Sequence, residues 1–315
     1  MKKSLSTTQK ELIFRVFRTA VVCIAALCAL LRTLDLFLFF DSDIRYYERG
    51  SILPVIFTVI VTLSVITIFA LCISIFRKSA PPTEQYTVSS KCSAVFAALS
   101  FAVVFVNNLL SPYSWAEFYR GSSSSLLFLI VTALYVLAPA IACAYFVLYA
   151  LGKCKPSFAF GFGIFAIIYF IITLANSYFN IYVQMNAPEK LASHLCCVCA
   201  MLVMLSEMRV MCGNRKNALY LFSVSVSTIA LIACSISTII ASFAGALNKG
   251  IMTPPHVSFY VFLALGIFSA VRLLMLPYPK NASIAESTPT VTESDGEITS
   301  ADTNENISDT DSDKE

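Results

Sequence analysis

The chain has 315 residues, of which 57% are hydrophobic and only 13% are charged, about half the charged share of an average soluble domain. A soluble fold of this length could not bury so much apolar surface, so the composition excludes a soluble globular protein. The formal net charge of +3 hides an uneven distribution. Residues 1–280 have 21 Lys/Arg and 9 Asp/Glu, whereas residues 281–315 have one Lys/Arg and ten Asp/Glu.

Eight apolar segments are long enough to cross a bilayer, which takes about 20 residues for roughly 30 Å of hydrocarbon. In chain order they are residues 14–40, 52–76, 92–110, 125–151, 157–180, 190–212, 217–244 and 257–276. The loops between them are short, so successive spans are predicted to pack as antiparallel hairpins. The predicted fold class is therefore all-α, a polytopic transmembrane helix bundle of about eight spans in four antiparallel hairpins, forming one domain over residues 1–280.

Lys and Arg are concentrated on one side of these spans, with fifteen on the side of both termini and five on the other. Loops on the cytoplasmic side retain positive charge, so both termini are predicted to be cytoplasmic in a plasma membrane. The first apolar segment is long, has no cleavage site of small residues and is followed by seven more. It is expected to stay as an uncleaved span rather than to act as a signal peptide.

Residues 281–315 are mostly Ser, Thr, Asp, Glu and Asn. Such a segment cannot offset the entropy cost of ordering, so it is predicted to be a disordered acidic cytoplasmic tail. It is either simply solvated or a docking segment for a cytoplasmic protein. The eleven cysteines lie in apolar runs or beside basic loops predicted to be cytoplasmic, so free thiols are expected.

The first span contains two charged residues, Arg32 and Asp35, which are three positions apart and can pair on adjoining helix faces. If the span continues to Phe40, they lie in its outer half and face the interior of the bundle. If it ends near Leu31, the following stretch is interfacial and Arg32 extends to the membrane surface. The sequence leaves both alternatives open.

Near the predicted cytoplasmic ends, Glu207 and Arg272 lie at similar depth, each five residues before its span closes. An unpaired carboxylate at that depth is strongly disfavoured, so Glu207 is predicted to pair with Arg272 or with Arg18. A structural ion pair is a simpler interpretation than a proton or substrate relay.

Amides and one imidazole collect toward the predicted outer side, where they could line an outward-facing polar pocket. The candidate residues are Asp35, Asn107, Asn108, Asn176, Asn180 and His194. Hydrogen bonds between amides of neighbouring helices are ordinary packing, and this alternative is the better one for each residue alone. Only their collection on one side favours a pocket.

His194 and Cys197 are three residues apart and could form half of a metal site, but structural zinc requires four ligands and buried cysteines commonly act as small apolar residues. No metal and no cofactor are therefore expected. The chain has no phosphate-binding glycine loop, no HExxH and no GxSxG motif, so no enzymatic activity is predicted. Its basic loops are explained by topology and the lipid bilayer, without nucleic acid.

One segment carries a resemblance to other proteins. In VQMNAPEKLASHLCCVCAMLVMLSEMRVM, residues 183–211, an MNxP motif at 185–188 precedes Lys190, and Glu-x-Arg follows at 207–209. This combination resembles a segment of uncharacterised multi-pass membrane proteins of clostridia-like Gram-positive bacteria, over about a tenth of the chain. The resemblance implies a bacterial plasma membrane and implies no activity.

The predicted function is that of a non-enzymatic sensor or assembly partner whose tail and cytoplasmic loops contact cytoplasmic components. The alternative is a small-solute transporter or channel that uses the outer amides, Asp35 and the layer of Glu207 and Arg272. Water joining these groups through the middle of the bilayer would distinguish the alternative from the first prediction.

Overall fold

The structure is a computed structural model, and it describes residues 7–41, 46–47, 50–74, 87–110, 126–179, 187–213, 217–244 and 257–276. These residues lie in one compact unit, Met1–Asn281. The predicted tail lies outside the described residues.

Within the described ranges the chain forms eight α-helices, all long and apolar enough to cross a membrane. They are α1 Thr7–Leu38, α2 Leu53–Ser74, α3 Val88–Leu110, α4 Leu126–Ala150, α5 Pro156–Phe179, α6 Pro188–Met211, α7 Asn217–Phe243 and α8 Val257–Met275. The predicted fold class, a bundle of eight transmembrane helices, is confirmed. The chain is thus a multi-pass membrane protein.

Two helices begin four or more residues before the apolar segments that predicted them. Helix α1 begins at Thr7 rather than near residue 14, and an exposed ion pair of Glu11 and Arg15 at 2.8 Å lies on its first turns. Helix α3 begins at Val88 rather than near residue 92, because the Thr87 hydroxyl accepts a hydrogen bond from the Ser90 amide at 3.2 Å. Such a side-chain cap satisfies a donor that the first turn leaves free.

A short β-hairpin joins α1 to α2. Its strands, β1 Phe40–Asp41 and β2 Tyr46–Tyr47, pair antiparallel with Phe40 opposite Tyr47. The Phe40 and Tyr47 rings meet edge to face, with centroids 5.7 Å apart. The hairpin marks one end of the bundle, called the hairpin end below, where α1, α3, α5 and α7 finish and α2, α4, α6 and α8 begin.

Helices α3 to α8 pack in a closed ring, and α1 and α2 pack outside it. From α3 to α8 each helix contacts the next, and α8 also contacts α3. Helix α1 packs on α7, and α2 packs on α1 and α7. The most buried spans are α6, α7 and α8, whereas α2 is the least buried.

A close approach of α7 and α8 depends on Gly266. A Cβ atom added there would lie 3.2 Å from the Ile232 backbone nitrogen and 3.1 Å from the Leu231 Cβ. Near this contact the Thr228 hydroxyl donates a hydrogen bond to the Ser269 hydroxyl at 3.1 Å. Small residues let membrane helices approach and exchange hydrogen bonds, which explains why two central helices lie so close together.

Candidate functional site

The end of the bundle opposite the hairpin contains a buried ion pair between α6 and α8. Arg272 Nε donates a hydrogen bond to Glu207 Oε1 at 3.2 Å, and Arg272 Nη2 lies 3.2 Å from Oε2. The side chains are 1% exposed for Glu207 and 5% for Arg272. The protein itself, rather than solvent, therefore surrounds both charges.

Two tyrosines complete this group, which we call the ion-pair layer: Glu207, Arg272, Tyr220 and Tyr149. The Tyr220 hydroxyl, from α7, donates a hydrogen bond of 2.6 Å to Glu207 Oε1. The Arg272 guanidinium lies 5.9 Å from the centre of the Tyr149 ring, from α4. The layer thus joins α4, α6, α7 and α8. Sequence reasoning missed both tyrosines, since nothing in the hydropathy pattern shows which faces of α4 and α7 meet α6.

Arg18, the other candidate partner of Glu207, has a different role. It donates a hydrogen bond to the Leu274 carbonyl at 2.6 Å and another to the Leu276 carbonyl, and it lies over the Phe14 ring. The last carbonyls of a helix have no partner within the helix. Arg18 of α1 therefore caps the end of α8.

At the hairpin end, α1 continues as a helix through Arg32 and Asp35 to Leu38. Arg32 is 8% exposed, and its Nη2 lies 3.4 Å from the Pro188 carbonyl. Its guanidinium also lies over the rings of Tyr47 and Phe57, at 5.8 and 5.5 Å. Arg32 therefore joins α1 to the hairpin, α2 and the start of α6, rather than extending away from the bundle.

Asp35 is fully buried in the protein. The Tyr47 hydroxyl and Arg32 are close enough to interact with its carboxylate, yet neither carboxylate oxygen has a hydrogen bond of good geometry within the described residues. Burial raises the pKa of Tyr47. Its hydroxyl therefore keeps its proton at ordinary pH and remains a donor facing Asp35.

The other residues of the candidate pocket lie at separate helix interfaces. Asn108 donates to the Tyr135 carbonyl at 3.3 Å, between α3 and α4. The His194 ring lies 6.2 Å from that of Tyr178, between α5 and α6. Asn107 and Asn176 are half-buried, and Asn180 lies outside the described residues. In the part of the chain that the structure describes, no hydrogen bond joins any of these residues to another or to Asp35.

A chain of contacting rings runs through the bundle between its two ends. We call it the aromatic column: Tyr135, Tyr169, Phe101, Phe146, Phe268 and Tyr149. Successive ring centres are 5.7, 6.2, 5.6, 5.5 and 5.4 Å apart. Every member is at most 3% exposed. The column begins at Tyr135, whose carbonyl accepts from Asn108, and ends at Tyr149, whose ring lies beside Arg272.

The cysteines are all free thiols. Cys196 and Cys199 on α6 and Cys234 on α7 are buried close to one another. Across the described ranges, no three His, Cys, Asp or Glu side chains are arranged to hold a metal ion. The three thiols pack between α6 and α7, and those of Cys196 and Cys234 are close enough to form a hydrogen bond.

No family model, curated protein or solved structure matches the chain. The ion-pair layer, the hairpin end and the aromatic column are the features of the chain that bear on its function.

Proposed function

We propose that this chain is a non-enzymatic sensor or assembly partner in a bacterial plasma membrane, with both termini in the cytoplasm. Its acidic tail and basic loops contact a cytoplasmic protein, and the helix bundle holds them at the membrane surface. The aromatic column is the observation that carries this proposal.

The column argues against a water-filled path along its line. Its six rings contact one another from Tyr135 to Tyr149 and are almost entirely shielded from water. Protein interiors of this kind are packed as densely as organic crystals, and apolar gaps between such rings stay dry. A polar solute passing from Asn108 to Arg272 would have to separate rings that now contact each other.

The same column offers a physical connection for signalling. It joins an interhelical hydrogen bond near the hairpin end to a buried charge at the other end. Closely packed side chains tend to move between discrete arrangements rather than deform continuously. A displacement of α3 against α4 would therefore change the surroundings of Arg272.

The distribution of charge along the chain supports the proposed cytoplasmic termini and the proposed cytoplasmic protein partner. Fifteen of the Lys and Arg residues lie in the loops at the ion-pair end, in the two flanking segments or in the adjoining ends of the helices. The 35 residues after position 280 hold ten acidic side chains and one lysine. Such a segment attracts a basic protein surface and is repelled by anionic lipid.

Ion and solute flux in proteoliposomes is the test. The purified full chain is reconstituted with pH, sodium and potassium dyes inside the vesicles. The expected result is leakage equal to that of protein-free vesicles. Flux well above that level, abolished by Asp35→Asn, would contradict the proposal.

The partner is tested in cells with a photo-crosslinking residue at Ser294 of the tail. A single crosslinked protein is expected, and its yield should fall when Asp295 and Glu297 are changed to Asn and Gln. The matched control exchanges the serines at 300 and 308 for Ala, which leaves the charge unchanged. Equal yields for the two sets of variants would exclude recognition through charge.

A transporter is the second candidate, and the buried carboxylate of Asp35 favours it. A buried carboxylate such as that of Asp35, which has no hydrogen bond of good geometry among the described residues, is costly and commonly marks an ion or proton path. In that case Asp35→Asn abolishes uptake, whereas Asp41→Asn, in β1, leaves it near the wild-type rate. Unchanged uptake in Asp35→Asn would remove this candidate.

A further inference from the structure

A small groove lies between the end of α6 and the beginning of α7. Its polar lining residues include Ser206 and Arg209 of α6 and Ser223 of α7, and its apolar walls include Leu205 and Leu219. The groove is distinct from the ion-pair layer, although Tyr220 borders both.

Three polar side chains that line this groove have no hydrogen-bond partner among the described residues. Arg209 is half-buried in the last turn of α6. Ser206 and Ser223 are 9% and 3% exposed. Within the ranges that the structure describes, none of the three has a hydrogen bond or an ion pair. Both hydroxyls line the groove without a protein partner there, so they are available to hydrogen-bond a ligand.

The nearest carboxylate in sequence cannot supply the missing charge. Glu207 lies two residues before Arg209, but it pairs with Arg272 and accepts from Tyr220. A guanidinium with two hydroxyls around it favours a tetrahedral anion such as phosphate, which accepts several hydrogen bonds at once.

The apolar walls of the groove indicate that the anion is part of a lipid. Leu205 and Leu219 are each 45% exposed on the outer surface of the bundle, where hydrocarbon surrounds a transmembrane helix. Arg209 lies only two residues before α6 ends at Met211, the depth at which lipid headgroups meet the protein. The groove is apolar on its membrane side and cationic at the boundary.

We propose that this groove binds one anionic phospholipid, with its phosphate held by Arg209 and the hydroxyls of Ser206 and Ser223. One acyl chain lies along Leu205 and Leu219. The site gives the bundle a lipid requirement that is separate from any solute or protein partner, so it can be tested independently of the proposed function.

Native mass spectrometry of the purified full chain tests the site. Phosphatidylglycerol and phosphatidylcholine with identical acyl chains are added in turn, and the lipid retained per chain is counted. We expect one phosphatidylglycerol to be held at concentrations at which phosphatidylcholine is not. Equal retention of the two lipids would overturn the proposal.

Variants locate the site. Arg209→Gln is expected to weaken phosphatidylglycerol binding about tenfold, the loss of one charge-assisted contact. Ser223→Ala should weaken phosphatidylglycerol binding by about threefold without removing a charge. This variant replaces Arg209→Gln as the test if Arg209→Gln folds poorly. Lys155→Gln is the matched control, because Lys155 is an exposed cation at the same end of the bundle, and binding should be unchanged.

Inorganic phosphate distinguishes a lipid from a soluble anion. Added in large excess, it is expected to leave the bound phosphatidylglycerol in place, because it cannot occupy the apolar walls. Displacement by phosphate alone would overturn the lipid assignment. A loss in Lys155→Gln equal to that in Arg209→Gln would show that general charge, rather than the groove, retains the lipid.

Discussion

The pair of Glu207 and Arg272 illustrates how a membrane protein keeps charge in its interior. Each ion would be costly to bury alone, and their attraction offsets that cost only when the remaining hydrogen bonds are also made. Tyr220 supplies one of these bonds. The pair is therefore one element of a network, and removing either charged member leaves the other charge without compensation.

Replacing one partner of the pair should be more damaging than replacing both. Glu207→Gln or Arg272→Gln alone leaves a buried charge unpaired, and we expect each to lower the free energy of unfolding by about 3–5 kcal/mol. The double variant should lose less than either single variant, because no unpaired charge remains. The measurement is unfolding by SDS titration in mixed micelles.

The matched control is the exposed pair of Glu11 and Arg15 on α1, whose side chains are 43% and 67% exposed. Glu11→Gln should leave the stability unchanged, because an exposed ion pair contributes little. If the losses of Glu207→Gln and Arg272→Gln simply add in the double variant, the two charges do not act as a pair.

For single charged residues, the sequence could predict how deep each one lies along its transmembrane helix. Counting residues from the ends of α6 and α8 placed Glu207 and Arg272 at one level, because a helix rises by a constant 1.5 Å per residue. It could not predict that Arg18 would cap α8 or that Tyr220 would bond to Glu207. Both depend on which helix faces meet, and side-chain packing across the whole bundle decides that.

Among the helices, α7 and α8 are held by close contact rather than by large apolar side chains. The lack of a side chain at Gly266 permits that contact, and the Thr228–Ser269 hydrogen bond lies near it. The sequence alone does not show which glycines lie at a close contact between helices. Gly161 of α5, for example, has nothing within 4 Å of an added Cβ atom.

These two glycines provide a direct test. Gly266→Ala should destabilise the bundle by roughly 1–3 kcal/mol, since overpacking forces backbones apart. Gly161→Ala should leave stability unchanged or slightly raise it, because alanine favours the helix. Thermal unfolding of the two purified variants in the same detergent measures the difference. Equal melting temperatures would show that α7 and α8 can separate at little cost.

For the molecule as a whole, the spans could be predicted because a bilayer imposes one length on every helix that crosses it. The starts of α1 and α3 could not be, since a helix continues into polar residues where capping or ion pairs support it. The candidate pocket shows the same limitation. Hydropathy placed Asn108, His194 and Asp35 at one end of the bundle, but only packing decides whether residues at one depth share an interface.

The proposed orientation gives a prediction for Cys212, which is exposed just after α6. In a variant with Cys23→Ser and Cys92→Ser, a membrane-impermeant maleimide should label Cys212 in inverted vesicles and not in intact cells. The buried Cys196, Cys197 and Cys199 should remain unlabelled in both. Labelling in intact cells would place the ion-pair end outside and reverse the proposed topology.

Helix α2 has a consequence for how the chain is assembled. Its buried residues Ser64, Ile68 and Cys72 recur at every fourth position, so only one narrow stripe contacts protein and hydrocarbon surrounds the rest. Partition into lipid, rather than tertiary contacts, therefore holds this segment in place. We expect α2 to enter the bilayer early as an independent span and to dock against α1 and α7 last, with exchange between docked and undocked positions faster than for any central helix.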